Sequence, residues 1–292
     1  MPYATQRKSV VVWSEGSRLA ADIVTPVGPE YPRPAILLCH GWGGVKSHLL
    51  QLYADAFAGA GYICMFFDYR GWGDSDGRII SAADAPNLTE AGERTLDVRV
   101  IREVVDPVDQ VADIRACFAY LLTEEGVDPA RVALWGSSYG GGLTTFVTGT
   151  DERVKVLVAQ IGSYGHSGDP AFRAFAYKQM ADKARGRIDP PVPQATAPVA
   201  TGLKGVPDVA RQWGYSPLRA AENIRVPTLF IDAEFEEYNV NEPHLQGIGA
   251  YDVVRERATA ERVTFPCTHY KVYDEYLEPA RQLAIDWFDQ HL

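Results

Sequence analysis

The residues best suited to covalent chemistry lie in Arg131-Val132-Ala133-Leu134-Trp135-Gly136-Ser137-Ser138-Tyr139-Gly140-Gly141-Gly142. An apolar run reads as a buried strand, Gly136-x-Ser138-x-Gly140 follows it, and Leu143 to Val147 can continue as a helix. A strand, a sharp turn with Ser at its apex and a helix together make the context of a nucleophile elbow. The Ser backbone is strained in such a turn, so the flanking glycines let neighbouring chain approach without a Cβ in the way. The hydroxyl then stands off the end of the strand, over the positive end of the next helix.

A Ser hydroxyl is a poor nucleophile at neutral pH. It needs a base, and the base needs a third group to fix its tautomer and stabilise its cation. Six histidines are available: His40, His48, His166, His244, His269 and His291. His269 follows the last apolar strand, Arg262 to Phe265, and precedes the terminal helix. In a doubly wound sheet that is the carboxyl edge that also presents Ser138. His40 opens His40-Gly41-Trp42-Gly43-Gly44, a loop able to offer backbone N–H groups to an oxyanion. The expected donors are the N–H of Trp42 and the N–H of Tyr139, with His40 orienting the loop. His48 and His291 read as surface residues, and His166 opens an insertion, where it could contact substrate without being assigned that role. The acid should follow the strand Thr228-Leu229-Phe230-Ile231, where Asp232, Glu234, Glu236 and Glu237 all compete. A carboxylate reaches the His from the side only from a turn past the strand, which favours Glu236.

These groups need a scaffold. Lys8 to Trp13 and Leu19 to Thr25 read as a hairpin, and Ala35 to Cys39 as a strand buried on both faces. A helix from Ser47 to Ala60 stops at Gly61 and leads to the strand Tyr62 to Phe67. Residues 78–106 read as a long excursion with a helical part, and Val108 to Thr123 as an amphipathic helix. Val154 to Ile161, Pro227 to Ala233 and Arg262 to Phe265 supply further strands, with helices at Ala250 to Ala258 and Leu277 to Leu292. Strands alternating with helices imply an α/β fold with a doubly wound, mostly parallel sheet. Residues 163–222 break the alternation and are too long for an ordinary connection. They read as an inserted helical lid, so 1–162 and 223–292 form the core and 163–222 the insertion. A helical piece at Ala171 to Ala184 places Phe172, Phe175, Ala176, Tyr177 and Met180 on an apolar stripe, and Asp189 to Pro207 follows as a Pro-rich strap. Tyr69, Trp72, Tyr139, Tyr164, Phe172, Phe175 and Tyr177 suggest an aromatic-rich pocket, with core packing the alternative for each, and Tyr69, Tyr164, Phe172 and Phe175 are the expected substrate contacts.

A formal charge of -10 without a Lys/Arg cluster argues against nucleic acid and anionic membranes. No apolar run approaches a membrane span, and Met1 to Arg18 has no apolar core of a signal peptide. Cys39, Cys64, Cys117 and Cys267 form no metal-binding or redox spacing, which points to a reducing cytoplasm. No metal or organic cofactor is implied. The expected partner is a small molecule, with a homodimer left open.

Taken together, the motifs resemble the α/β-hydrolase superfamily, in the branch with dienelactone-hydrolase-like and X-prolyl-dipeptidyl-peptidase-like members. The similar residues are His40-Gly41-Trp42-Gly43-Gly44, Asp68-Tyr69-Arg70-Gly71-Trp72-Gly73-Asp74-Ser75, Asp106-Pro107-x-x-Gln110, Gly136-Ser137-Ser138-Tyr139-Gly140-Gly141 and Thr268-His269-Tyr270-x-x-Tyr273. The chain order Ser138, Glu236, His269 is that of the superfamily. The resemblance implies Ser-dependent acyl transfer to water, with an ester or lactone favoured. Acyltransferase, peptidase, thioesterase and carbon–carbon hydrolase activities use the same triad, and a non-catalytic binding protein can use the same fold. Two departures stand out. The superfamily acid is more often Asp than Glu, and a dienelactone hydrolase would carry Cys where Ser138 stands.

Overall fold

The computed structural model describes residues 1–28, 31–82, 89–165, 170–189, 192–193 and 203–292. Eight strands form the central sheet. They are β1 (Thr5–Ser14), β2 (Ser17–Pro26), β3 (Arg33–Cys39), β4 (Ile63–Phe67), β5 (Val127–Ser137), β6 (Val156–Gln160), β7 (Thr228–Phe235) and β8 (Ala260–Thr268). Their order across the sheet is β1-β2-β4-β3-β5-β6-β7-β8. The β1–β2 hairpin is antiparallel, β2 runs antiparallel to β4, and every other pairing is parallel. In the centre Leu37 pairs with Met65 on one side and Leu134 on the other.

Side chains alternate across a strand, so consecutive apolar residues must find two cores. Leu37, Met65, Leu134 and Leu157 enter one, with α2 (Pro107–Leu122), α3 (Tyr139–Thr148) and residues of Gly247–Val254. Ile36, Cys64, Trp135 and Val158 enter the other, with α1 (Leu50–Ala60) and the C-terminal helix Leu277–His291. Phe57 meets Phe288 edge to face at 5.5 Å, which ties the two helices of that second layer together. This is a mostly parallel α/β sheet covered on both faces. The chain steps from β3 to β4 on one side and then to β5 on the other. That reversal opens a crevice at the carboxyl ends of β3 and β5.

Local chemistry sets the element ends. Gly61 closes α1 at φ 116°, a left-handed conformation open to glycine at little cost. Asp106 caps α2 by accepting from Val108 N–H at 3.0 Å, with Pro107 as the first helical residue. The helical part expected within 78–106 is not found among its described residues, and 83–88 lie outside them. The described part of that segment holds Arg78–Ser81 paired antiparallel with Val98–Ile101, and Val104–Val105 paired with Val206–Pro207. Ile79, Val98 and Val100 are β-branched and exposed, so strand propensity is expressed there without a buried face.

Within 163–222 the described elements are α4 (Pro170–Ala184), the two-residue strand Val206–Pro207 and the short helices Val209–Gln212 and Pro217–Ala221. Residues 190–191 and 194–202, most of the Pro-rich strap, lie outside the described residues, as does His166. The apolar stripe expected on α4 is also corrected: Ala176 is buried, whereas Tyr177 and Met180 are exposed. Among the described residues no helix is long and apolar enough to cross a membrane.

Candidate active site

Ser138 sits between β5 and α3 with φ 57° and ψ -128°, a backbone region that L-residues rarely occupy. Its N–H donates to Gln160 O at 2.9 Å, and its carbonyl accepts from Gly141 N–H at 2.9 Å. The surrounding glycines are required by contact. A Cβ on Gly136 would lie 2.4 Å from Gly140 O and from Thr144 Oγ1. One on Gly140 would lie 2.5 Å from the carbonyl oxygens of both Cys39 and His40. Gly140→Ala must therefore push α3 away from the end of β3. We expect a loss of about 3 kcal/mol or more of stability, read by urea denaturation. An unchanged unfolding midpoint would contradict this reading of the elbow.

His269 Nε2 lies 3.1 Å from Ser138 Oγ. On its other side, His269 Nδ1 lies 2.8 Å and 3.0 Å from the two carboxylate oxygens of Glu236. Glu236 follows directly on the end of β7, and its Oε1 also accepts from Tyr238 N–H at 2.9 Å. The other acids go elsewhere. Asp232 is buried within β7 and pairs with Arg262 at 2.5 Å, while Glu234 and Glu237 are exposed. Such a row can draw the proton from a hydroxyl while a carboxylate steadies the resulting imidazolium. Edges and faces of Tyr238, Tyr270 and Tyr273 surround the imidazole at centroid distances of 4.9, 5.2 and 6.1 Å.

The loop after β3 approaches Ser138 from the opposite side. A Cβ on Gly41 would fall 2.8 Å from Ser138 Cβ and 3.3 Å from its Oγ. Neither Trp42 N–H nor Tyr139 N–H donates to a backbone or side-chain acceptor among the described residues. Both residues line the cavity beside Ser138. His40 Nδ1 lies 3.0 Å from Gly41 O, so a neutral imidazole donating there braces the loop. Burial pushes its pKa down from 6.5 to about 4. Between those two values the unfolded chain binds the proton and the folded chain does not. Stability is therefore lost as pH falls through that window, by roughly 3 kcal/mol at its acid end. Urea denaturation at pH 7 and pH 4.5 should show a larger acid loss for the parent than for His40→Asn. Equal losses would remove His40 as the cause.

A buried polar chain supports the elbow from below. Tyr53 OH donates to Gln160 Oε1 at 3.0 Å, Gln160 Nε2 donates to Ser137 Oγ at 3.1 Å, and Ser137 Oγ lies 3.0 Å from Tyr273 OH.

Ser138, Glu236 and His269 open into one cavity of about 780 Å³. Of the four expected substrate contacts, only Phe172 lines it. Tyr69 is fully buried, with its ring edge-on to His40 at 4.5 Å. Tyr164 is fully buried against Phe230 at 6.1 Å, and Phe175 packs on Ala176 and Val209. Trp72 and Tyr177 are likewise absent from the lining. The walls come instead from Leu49, Leu52, Leu203, Val209, Tyr215, Tyr238 and Tyr270, among others. Tyr238 and Tyr270 stand two residues and one residue from Glu236 and His269, a proximity that sequence could have flagged. Leu203 and Val209 carry no such signal, because only the folding back of a distant segment places them there.

The family described as X-Pro dipeptidyl-peptidase (S15 family) matches residues 15–173, more than half of the chain. The chain belongs to this family. In this S15 member the matched part holds Ser138 and the His40 loop, while Glu236 and His269 lie beyond it. It is similar along nearly its whole length to an Escherichia coli protein described as an uncharacterized 31.7 kDa protein in the traX-finO intergenic region. They are 27% identical over 308 aligned positions, covering 96% of this chain and 97% of the relative. The quorum-quenching protein AidA of Acinetobacter baumannii is 31% identical over 131 residues, 45% of this chain and 36% of AidA. The fold is that of the α/β hydrolases. Alpha/beta hydrolase GrgF from Penicillium superposes with a TM-score of 0.72 at 18% identity, covering 98% of this chain and 99% of that one. Est1E from Butyrivibrio proteoclasticus, solved with ferulic acid bound, gives 0.66 at 16% identity over 97% and 98% of the two chains.

Proposed function

We propose that this S15-family α/β hydrolase cleaves an uncharged carboxylic ester or lactone through an acyl-enzyme. The observation that carries the reading is the row Ser138 Oγ, His269 Nε2, His269 Nδ1, Glu236, with 3.1 Å at the first gap and 2.8 Å at the last. Ser138 Oγ attacks the carbonyl carbon as His269 Nε2 takes its proton. Glu236 accepts from Nδ1–H, which fixes the tautomer with Nε2 free to act as base. The oxyanion takes hydrogen bonds from Trp42 N–H and Tyr139 N–H, each worth roughly 2.7–4 kcal/mol in comparable sites. His269 then returns the proton to the leaving oxygen, and water attacks the acyl-enzyme by the same route.

The cavity's charge narrows the substrate. Among the described lining residues Glu236 is the sole carboxylate, already engaged with His269, and no Lys or Arg is present. A free peptide amino terminus would enter as an ammonium ion with no unengaged carboxylate among the described lining residues to meet it, and a buried unpaired charge is strongly disfavoured. That favours uncharged esters and lactones over the dipeptidyl substrates named in the family description. A thioester is the second reading. Thiohydrolase aneE of Aspergillus aculeatus and thiohydrolase apmlB of Arthrinium phaeospermum are 26% and 30% identical over 126 residues, 43% of this chain. Four buried free cysteines fit a cytoplasmic setting.

Steady-state kinetics on matched p-nitrophenyl esters, lactones, acyl thioesters and X-Pro arylamides test the reading. Ester or lactone turnover should exceed arylamide turnover by at least a hundredfold. Preferential arylamide turnover would overturn it.

We further read 163–222 as a roof over part of this cavity, supported by Phe172 in its wall. Phe172→Ala should change the ranking of acyl lengths by roughly 1–3 kcal/mol, a measured ratio of kcat/KM values. Phe175→Ala should lower the melting temperature and leave the ranking alone. The reverse pattern would exchange their places.

A further inference from the structure

Residues 203–215 form one wall of the cavity through Leu203, Pro207, Val209, Gln212 and Tyr215. The back of this segment is held by polar contacts. Val206 N–H donates to Glu103 O at 2.9 Å, and Asp208 N–H donates to Val105 O at 3.0 Å. Lys204 pairs with Glu103 at 2.6 Å. Between Val209 and Gln212, the Arg211 side chain runs to the first turn of α2. There its Nε pairs with Asp106, and its Nη2 donates to Asp109 Oδ1 at 2.8 Å. Asp106, Asp109 and Asp208 are all buried. Lys183 of α4 pairs with Asp208, and Arg78 pairs with Asp109.

Three buried carboxylates are a poor source of stability, because desolvation offsets most of their attraction to the cations and apolar packing would serve as well. A planar guanidinium spanning two carboxylates gives position instead. One of those carboxylates is itself fixed as the cap of α2. The clamp thus refers the wall segment to a rigid helix, within two residues of side chains that face the cavity.

We propose that Arg211 is a positioning residue for specificity: by clamping 203–215 to Asp106 and Asp109, it sets how far Val209 and Gln212 reach into the cavity. It thereby limits the length of the acyl or alcohol group accepted. The inference rests on the Ser138 hydrolase reading.

The test compares Arg211→Met and Arg211→Lys with the parent. Readouts are kcat and KM for p-nitrophenyl acetate and octanoate, and Ser138 labelling rates with short-alkyl and long-alkyl fluorophosphonates. Arg211→Met should raise the long-to-short ratio in kcat/KM and in labelling at least tenfold, chiefly through a lower KM for octanoate. Arg211→Lys keeps the charge without the fork and should move the ratio the same way by less. A general loss of folded protein lowers both rates together and leaves the ratio in place. If Arg211→Met does not fold, Val209→Ala must raise the ratio in the same direction. Folded variants with ratios within twofold of the parent overturn the inference alone. A parent whose Ser138 reacts with neither fluorophosphonate overturns the functional reading and this inference together.

Discussion

Ser138→Ala is expected to lower kcat by on the order of 10⁶ while the protein stays folded. The Ser138 hydroxyl has one side-chain partner among the described residues, His269 Nε2, so its removal opens no core and orphans no buried carboxylate. The backbone contacts that shape the elbow, Ser138 N–H to Gln160 O and Gly141 N–H to Ser138 O, remain available to Ala. Activity on the preferred ester should fall to the level of binding and oxyanion stabilisation alone, with an unfolding midpoint close to the parent's. Near-parental turnover in a folded Ser138→Ala protein would remove the nucleophile from the account.

Glu236→Gln is expected to lower kcat by about 10⁴ with little change in KM. The Gln amide oxygen can still accept from Tyr238 N–H, which Glu236 Oε1 now accepts at 2.9 Å. Its NH₂ group must then face His269 Nδ1. That turns Nδ1 into an acceptor and leaves the proton on Nε2, where it faces Ser138 and blocks base catalysis. Asp232→Asn should behave differently, since Asp232 pairs with Arg262 and does not touch His269. It should reduce stability and spare most of kcat. A larger kcat loss for Asp232→Asn than for Glu236→Gln would show that the acid has been assigned to the wrong carboxylate.

The parts of the fold and site legible in the sequence were those where local chemistry has one outcome. A five-residue apolar run such as Ala35 to Cys39, ended by a Gly-rich loop, is too short for a helix and fits a strand covered on both faces, and it is buried throughout. The elbow was legible because Gly136 and Gly140 stand where backbone oxygens come within 2.5 Å of an added Cβ. Glu236 could be singled out from four acids because reaching His269 requires a position just past the end of β7. The pocket was not legible in the same way. Tyr69 and Tyr164 lie close in sequence to the motifs, but their rings fill the core beneath them. The pairing of Arg78–Ser81 with Val98–Ile101 has no buried face to impose an alternating pattern, so its residues gave no period. Arg211 ties the wall formed by 203–215 to α2 across about a hundred residues of chain, a contact without a local signature.

We propose Ser138 as a nucleophile made reactive by His269. Treating the folded protein with a small fluorophosphonate and mapping the adduct by peptide mass spectrometry tests this most directly. We expect one adduct per chain, on Ser138, abolished by Ser138→Ala and slowed at least a thousandfold by His269→Ala. An adduct on another residue, or labelling of Ser138 at the parent's rate without His269, would contradict this proposal.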